Sequence, residues 1–101
     1  MKEYKIIVKK TVYSDIDVIF DYLANELNEP QTAEKLCSLI ETEFNSLRYL
    51  PLRFPLFAVK DLQIRKMPVK NYSVFYVVDE VKNSVNILNI IYNRRNWQML
   101  I

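Results

Sequence analysis

The spacing of apolar residues changes twice along this 101-residue chain, and the order of the changes limits the possible folds. Residues 3–9 are rich in Ile and Val and alternate, which predicts a first strand. Between 14 and 47 apolar residues recur every three or four positions, which predicts two amphipathic helices. Three strand candidates follow: "LQIRKMPVK", "YSVFYVVDE" and "SVNILNIIY". The order β-α-α-β-β-β predicts an α+β fold, a mostly antiparallel four-stranded sheet with a helical hairpin on one face.

The ends of the two helices are marked by polar residues and prolines. Ser14, with Asp17 three residues later, predicts the N-terminal cap of the first helix. Asn28 is expected to end that helix, and Pro30 suits the first turn of the next one. Pro51 is expected to end the second helix, before an irregular crossing through "LRFPLFAVKD". The predicted apolar stripes are Ile16, Ile19, Phe20, Leu23 and Leu27 on the first helix, and Ala33, Leu36, Cys37, Ile40, Phe44 and Leu47 on the second.

The chain contains no glycine, so tight turns must use other residues. Asparagine tolerates positive φ best after glycine. Four asparagines fall between periodic segments and are predicted to fill this role: Asn28, Asn71, Asn83 and Asn93. The same absence argues against a glycine-rich phosphate loop. Within the sheet, "VFYVV" is apolar on both faces and predicts a central strand, whereas Pro68 predicts a strand near an edge or bulged.

Composition supports one compact domain over residues 1–101, because half of the residues are apolar. No apolar stretch approaches the roughly 20 residues that a membrane helix needs, so no membrane partner is expected. The charged start "MKEYKIIVKK" lacks a signal-peptide core and predicts a cytoplasmic protein. Cys37 is the single cysteine and histidine is absent, so no internal disulfide, structural zinc site or other cofactor is expected. Cys37 is expected to be a small buried hydrophobe.

Charge is distributed unevenly along the chain. Residues 15–43 hold eight of the twelve acidic residues and one of the fourteen basic residues, so this segment carries −7 and the rest +9. Such a division predicts an acidic face on the helices and a basic face elsewhere. The basic face is suited to nucleic acid or an acidic peptide, although an ordinary solvated surface explains the same charges.

Basic and aromatic residues of the second half form the candidate binding site. They are Arg65, Lys66, Lys70 and Tyr72 around the second and third strand candidates, and Arg94, Arg95 and Trp97 after the last. If these strands share a sheet, both groups are expected to border one concave surface. Arginine grips phosphate through paired hydrogen bonds, and aromatic rings stack on bases. The alternative is that Trp97 covers the open end of the core and that Arg95 is a solvated charge.

Catalytic groups are harder to identify. Metal-free RNA cleavage requires groups that take and give protons near neutral pH, and histidine, the usual one, is absent. A lysine, a tyrosine or an acid would have to serve instead. Asp79 and Glu80 are interpreted as solvent-facing turn residues. Ser73 has no histidine partner, so a serine nucleophile is not supported.

Several motifs in order resemble the RelE/ParE superfamily of toxins from bacterial type II toxin–antitoxin systems. After the acidic helical hairpin come "SLRYLPLRFPLF", then "IRKMPVKNYSVFYVVDE", which is similar to the family's Arg-x-x-x-x-Lys-x-Tyr-x-x-x-Tyr-x-x-Asp strand pair. The closing "IIYNRRNW" is similar to the family's last strand followed by Gly-Arg-Arg-Asp-Trp. The resemblance implies the β-α-α-β-β-β fold and a growth-arresting toxin, sometimes retained for plasmid stability, that a cognate antitoxin neutralises.

The superfamily contains two mechanisms, and the residues that match each differ. RelE-like members are ribosome-dependent mRNA endonucleases, and their catalytic positions correspond here to Arg65 and to Arg94, or to Arg95 in an alternative register. Ser73 stands where those members have an arginine. Gln63 replaces another basic position, and Leu100 replaces a C-terminal tyrosine.

This depleted set favours a ParE-like toxin, which binds DNA gyrase and is not itself an enzyme. The mRNA interferase, a non-toxic member that keeps its antitoxin, and a structural module remain as alternatives. Under either toxic mechanism Arg65 and Arg95 are expected to be exposed charges, so that alanine at these positions reduces toxicity and leaves folding intact.

Overall fold

The computed structural model describes residues 2–59 and 62–93. Two helices and five strands follow one another along the described chain: β1 (Lys5–Val8), α1 (Lys10–Asp21), α2 (Pro30–Ser46), β2 (Leu56–Val59), β3 (Leu62–Val69), β4 (Tyr72–Asp79) and β5 (Ser84–Tyr92). A π-helical turn, Tyr22–Glu26, extends α1, and a 3₁₀ turn, Pro51–Arg53, precedes β2. Within the described residues, no helix has the length and apolarity needed to cross a lipid bilayer.

The sheet has five strands in the order β1-β5-β4-β3-β2 and is mixed. The neighbours β2–β3, β3–β4 and β4–β5 are antiparallel, whereas β1 runs parallel to β5 with Lys5 opposite Ser84. The predicted α+β class and the antiparallel hairpins are therefore confirmed. Strand β4, which contains "VFYVV", is central as predicted.

The prediction of four strands was wrong, because the crossing between α2 and β3 contains the short strand β2. Leu56–Val59 pairs with Leu62–Arg65 at one edge of the sheet. Pro55, just before this strand, obscured it in the sequence, yet proline is tolerated next to an edge strand. Because β2 covers only Leu62–Arg65, Pro68 lies on a part of β3 that has no neighbour on its outer side among the described strands. This agrees with its predicted position near an edge.

The first helix begins earlier than predicted. The strand β1 stops at Val8, and α1 starts at Lys10 with Lys9 in the extended cap position. Ser14 is therefore not the N-cap: it lies in the second turn, where its hydroxyl donates a 3.5 Å hydrogen bond to the carbonyl of Lys10. A serine inside a helix bonds back to the preceding turn in this way, so its sequence signal resembles a cap.

The helical hairpin packs on the sheet largely as its apolar stripes predict. Helix α2 begins at Pro30, and its buried residues Ala33, Ile40 and Phe44 belong to the predicted stripe. Cys37, predicted to be buried, is only half-buried. On α1 the only fully buried residue is Val12, outside the predicted stripe, whereas Phe20 and Leu27 are exposed.

Positive φ angles occur at three non-glycine residues of the described chain. Asn28 (φ 54°) lies between the helices, and Asn83 (φ 51°) lies between β4 and β5, as predicted. Between β3 and β4 the residue with positive φ is Lys70 (φ 55°) and not the adjacent Asn71. The prediction was therefore wrong for Asn71: the β3–β4 turn lies where expected, but its left-handed residue is the lysine before the asparagine.

The core lies between the hairpin and one face of the sheet. Met67, Val74, Tyr76 and Ile87 pack there against residues of both helices, including Val12 and Ile40. The Tyr76 ring is fully buried, and its hydroxyl donates a 2.5 Å hydrogen bond to the carbonyl of Pro51. This bond joins the centre of the sheet to the segment that follows α2.

The stability of the protein is expected to fall as pH rises from about 10 to about 12. Burial raises the pKa of Tyr76 from 10.0 to about 12, so the unfolded chain loses this proton first. The contribution of the neutral Tyr76 to stability is fully present below the pKa of the unfolded chain. It is lost as pH rises through the pKa of the folded protein, by up to about 2 kcal/mol. Denaturant titrations at about pH 9 and about pH 11 measure the difference. In Tyr76→Phe the fall should be smaller, and an unchanged pH dependence would contradict this assignment.

Candidate binding surfaces

A groove opens between the helical hairpin and the end of the sheet that carries the β3–β4 turn. Its cavity volume is about 1000 Å³. The apolar part of its lining comes from both helices and from β5: Val18, Ile19, Leu23, Leu27, Leu36, Leu39 and Ile90. The side chains of Lys35 and Lys70 stand at its two walls, with Asp15 also in the lining. The groove thus combines an apolar lining with two exposed cations, Lys35 and Lys70, and one exposed anion, Asp15.

Tyr72 and Lys70, two of the predicted site residues, belong to this groove. The rings of Tyr72 and Tyr92 meet edge-to-face with centroids 5.4 Å apart. The pKa of the Tyr72 hydroxyl is raised, mainly by burial and to a smaller extent by the neighbouring Tyr92, so the hydroxyl is neutral. Lys70 lies on the turn itself and is exposed. Tyr72 therefore presents an apolar edge with a neutral hydroxyl, and Lys70 presents an exposed cation.

Arg65 has a different environment from the one predicted. It lies on β3 opposite Tyr76, on the core face of the sheet, and is half-buried. Its Nη1 donates to the carbonyl of Phe54 at 2.6 Å and to that of Leu52 at 3.3 Å. The expectation of an exposed charge was therefore wrong for Arg65, because the chain between α2 and β2 folds over its guanidinium.

Lys66 points to the other face of the same strand. It is opposite Phe75 in β4, and its Nζ lies 5.8 Å from the centre of the Phe57 ring. Phe57 and Phe75 are themselves 5.4 Å apart between centroids. Consecutive residues of a strand face opposite sides, so Arg65 and Lys66 cannot contribute to one surface through their side chains.

Asn93, directly after β5, is bonded to the β3–β4 turn and to β4. The backbone N–H of Asn93 donates to the carbonyl of Asn71 at 2.7 Å, and its side-chain oxygen accepts a 2.7 Å hydrogen bond from the hydroxyl of Ser73. Ser73, which stands where the RelE-like pattern has arginine, is 2% exposed and bonded to this asparagine. Arg94, Arg95, Trp97 and Leu100 lie outside the described residues, and the roles proposed for them from the sequence stay predictions.

The described residues distribute the predicted site over three places. Lys70 and Tyr72 line the groove, Arg65 lies beneath the segment before β2, and Lys66 lies on the opposite face. The register places Ile87 across from Tyr76 and therefore level with Arg65, while Asn93 lies six residues further along β5. At about 3.3 Å per residue, Asn93 lies roughly 20 Å along the strand direction from the level of Arg65.

Sequence reasoning missed residues that define the groove and residues that organise the segment after α2. Val18 and Tyr22 lie four positions apart on α1, beside the predicted stripe, and this second apolar pair is the signal that indicates the groove. Arg53 was also missed. Its guanidinium bonds to the carbonyls of Ser46 and Leu50 and to the Ser46 hydroxyl, and it lies 4.7 Å from the centre of the Phe54 ring.

Chemical groups for catalysis or metal binding are sparse in the described chain. Residues 2–59 and 62–93 contain no group of three or more His, Cys, Asp or Glu side chains placed to hold a metal ion. Asp79 accepts hydrogen bonds from the backbone N–H groups of Val81 and Lys82, which is the turn role predicted for it. Glu80 accepts a 2.7 Å hydrogen bond from Tyr4, whose pKa this bond raises. Both acids thus make structural hydrogen bonds near the β4–β5 turn, at the end of the sheet opposite to the groove.

Arg65→Ala is expected to lower the free energy of unfolding by about 1.5–3 kcal/mol, because it removes charged hydrogen bonds to two backbone carbonyls. Urea titration measures the change. Lys82→Ala, at an exposed cation in the β4–β5 turn, is the matched control and is expected to stay within about 0.5 kcal/mol of the wild type. Equal stability of the two variants would show that Arg65 does not hold the segment before β2.

Comparisons with known proteins agree with the fold and identify the family. The family model described as "ParE toxin of type II toxin-antitoxin system, parDE" matches residues 6–97. No curated protein sequence matches the chain.

Among solved structures, a chain of the chromosomal ParDE toxin–antitoxin system from P. aeruginosa has a TM-score of 0.75 at 17% identity, covering 91% of this chain and 98% of that one. A chain of the RelBE2 toxin–antitoxin complex from Mycobacterium tuberculosis has a TM-score of 0.65 at 17% identity, covering 90% of this chain and 99% of that one. A chain of the archaeal RelE–RelB complex from Pyrococcus horikoshii OT3 has a TM-score of 0.59 at 16% identity, covering 92% of this chain and 98% of that one. At these low sequence identities the structural similarity shows a shared fold only. The family is shown by the sequence match, which extends over most of the chain. The protein therefore belongs to the ParE family of toxins from type II toxin–antitoxin systems.

Proposed function

We propose that this toxin arrests growth by binding DNA gyrase in the cytoplasm, without catalysing a reaction itself, and that a cognate antitoxin silences it from the hairpin groove. The observation that carries the non-enzymatic mechanism is the position of Arg65. Its Nη1 bonds to the Leu52 and Phe54 carbonyls on the core face. A guanidinium held in this way supports the fold and is poorly placed to bind a scissile phosphate.

The groups near Arg65 support the same mechanism. The residue opposite Arg65 on β4 is Tyr76, which is buried, donates its hydroxyl hydrogen to Pro51 and has a pKa raised to about 12. A group that retains its proton so strongly and lies in the core is unsuited to proton transfer with a substrate in solution. Histidine is absent from the whole chain, and Ser73 occupies the position of a RelE-like arginine. A ribosome-dependent mRNA endonuclease is the alternative, and it is the weaker one on these grounds.

The groove has the properties of a site for an antitoxin segment. Two of the similar solved structures are toxin–antitoxin complexes, which suggests that this chain also has a protein partner that masks it. Exposed apolar residues such as Val18 and Leu27 suit the apolar face of an amphipathic segment. The exposed Lys35 and Lys70 suit acidic residues of the same segment, and the exposed Asp15 suits a basic one. Disordered antitoxin segments that fold on binding fit this arrangement.

The two mechanisms are separated by inducing the toxin in growing cells. Gyrase poisoning predicts DNA-damage signalling and stalled replication, with intact mRNA. Primer extension on a translated message is expected to show no new cuts soon after induction. Cuts within codons would establish the endonuclease instead, and unaffected growth would show that the chain is a non-toxic member retained with its antitoxin, for example on a stably inherited plasmid.

A further inference from the structure

A short loop after α2 displays apolar side chains that the core does not use. We define the 49–52 loop as Tyr49, Leu50, Pro51 and Leu52. Tyr49 is 49% exposed, Leu50 59% and Leu52 49%, whereas Pro51 between them is buried. Single exposed apolar residues are common, but several within one loop indicate a contact surface.

The backbone of this loop is held by side chains from β3 and β4 and by Arg53, which directly follows the loop. The Leu50 carbonyl accepts from Arg53 at 3.0 Å, the Pro51 carbonyl from Tyr76 at 2.5 Å and the Leu52 carbonyl from Arg65 at 3.3 Å. The three donors come from the 3₁₀ turn, from β4 and from β3. Local opening is disfavoured when the backbone is bonded in this way, so the exposed leucines sit on a fixed base.

A fixed apolar loop is well suited to bind a protein. Rigid presentation reduces the entropy lost on association, which increases affinity for a given contact area. Arg53 is an exposed cation next to the loop, and residues 47–57 contain no acidic residue; Arg48, which precedes the loop, is paired with Glu3 at 3.7 Å. Pairing of this loop with the same loop of a second copy would bring the two Arg53 side chains together, which disfavours a symmetric dimer through it. An apolar cleft bordered by carboxylates is the complementary partner surface.

The 49–52 loop is separate from the groove. The groove contacts α2 through residues from Thr32 to Leu39, whereas the loop follows the far end of this helix at Ser46. Ser46 lies seven positions after Leu39 on the helix, which is about 10 Å at 1.5 Å per residue. A segment lying in the groove therefore does not need the loop for its own binding.

We propose that the 49–52 loop, through Leu50 and Leu52, is the surface with which the toxin binds an apolar, acid-bordered cleft on its target protein. That this target is gyrase rests on the function proposed above; the role of the loop does not. The toxin then has two surfaces, one for the antitoxin and one for the target. Arg53, Arg65 and Tyr76 act as positioning residues, because they hold the loop by its carbonyls and leave its side chains exposed.

The test compares a double variant, Leu50→Ser with Leu52→Ser, with the control Val81→Ser. Val81 is 92% exposed in the β4–β5 turn, so both variants remove exposed apolar side chains and should fold like the wild type. The loop variant is expected to inhibit supercoiling by purified bacterial gyrase at least about tenfold less potently and to lose growth arrest, whereas Val81→Ser behaves as wild type. Thermal unfolding verifies that both variants are folded.

The outcomes separate this inference from the proposed target. If the wild type arrests growth without inhibiting gyrase, and the loop variant no longer arrests growth, the loop binds a different target and only gyrase is excluded. If the loop variant inhibits gyrase and arrests growth like Val81→Ser, the inference is overturned. The inference is also overturned if the loop variant keeps gyrase inhibition and growth arrest and loses binding to anionic lipid vesicles. The loop would then be a lipid-binding surface.

Discussion

Val18→Glu is expected to release the toxin from its antitoxin without changing its fold. Val18 is 68% exposed and lines the hairpin groove. A bound antitoxin segment would cover this position, and a carboxylate buried there without a partner would lose its hydration. We expect the affinity for the antitoxin to fall on the order of 100-fold, the size of effect seen at the centre of an interface. Cells that produce both proteins should then arrest.

The measurement is growth after co-induction of the variant with the cognate antitoxin, together with titration of the two purified proteins. Val81→Glu is the matched control, because it adds the same charge at an exposed valine in the β4–β5 turn. The control should be neutralised as well as the wild type. Neutralisation of Val18→Glu to the same extent would place the antitoxin outside the groove.

Tyr76→Ala is expected to have the largest effect on stability, a loss of about 3–5 kcal/mol in the free energy of unfolding. The ring is fully buried at the centre of the sheet, between β3 and β5, and its removal leaves a cavity in the main core. The same change removes the donor to the Pro51 carbonyl. Since small domains have about 5–15 kcal/mol in total, this loss is a large fraction of the stability.

Tyr76→Phe separates the two contributions of this residue. It keeps the ring and removes only the hydroxyl, so the expected loss is about 1–3 kcal/mol, from the Pro51 carbonyl left without its donor. Chemical denaturation of the wild type and both variants gives the comparison. A Tyr76→Phe variant as stable as the wild type would show that the hydroxyl does not hold the segment after α2, and it would weaken the case for a fixed 49–52 loop.

The part of the fold that follows from local patterns was predictable. The stripe through Ala33, Ile40 and Phe44 identified α2 and its buried face, because helical periodicity is read over many residues. Strand β2 was not predictable, because four residues beside Pro55 give too short a pattern. The parallel pairing of β1 with β5 depends on contacts across almost the whole chain, which no local pattern encodes.

The candidate site was predictable only in part, and the reason is geometric. Sequence identified Lys70 and Tyr72, which line the groove. It also grouped Arg65 with Lys66, but strand pleating places them on opposite faces. The role of Arg65 depends on the carbonyls of Leu52 and Phe54, whose position is set by a turn that the sequence shows only as a proline-rich crossing. The charge of Arg65 therefore indicated that the residue binds something, but not that it binds backbone carbonyls of its own chain.

The most direct test of the account is a supercoiling assay with purified gyrase, relaxed plasmid and the purified wild-type toxin, in the absence of ribosomes. Binding to gyrase without any enzymatic activity of the toxin predicts that supercoiling stops as the toxin approaches the concentration of the enzyme. Full gyrase activity at an excess of toxin, together with cleavage of translated mRNA by the same preparation, would contradict it.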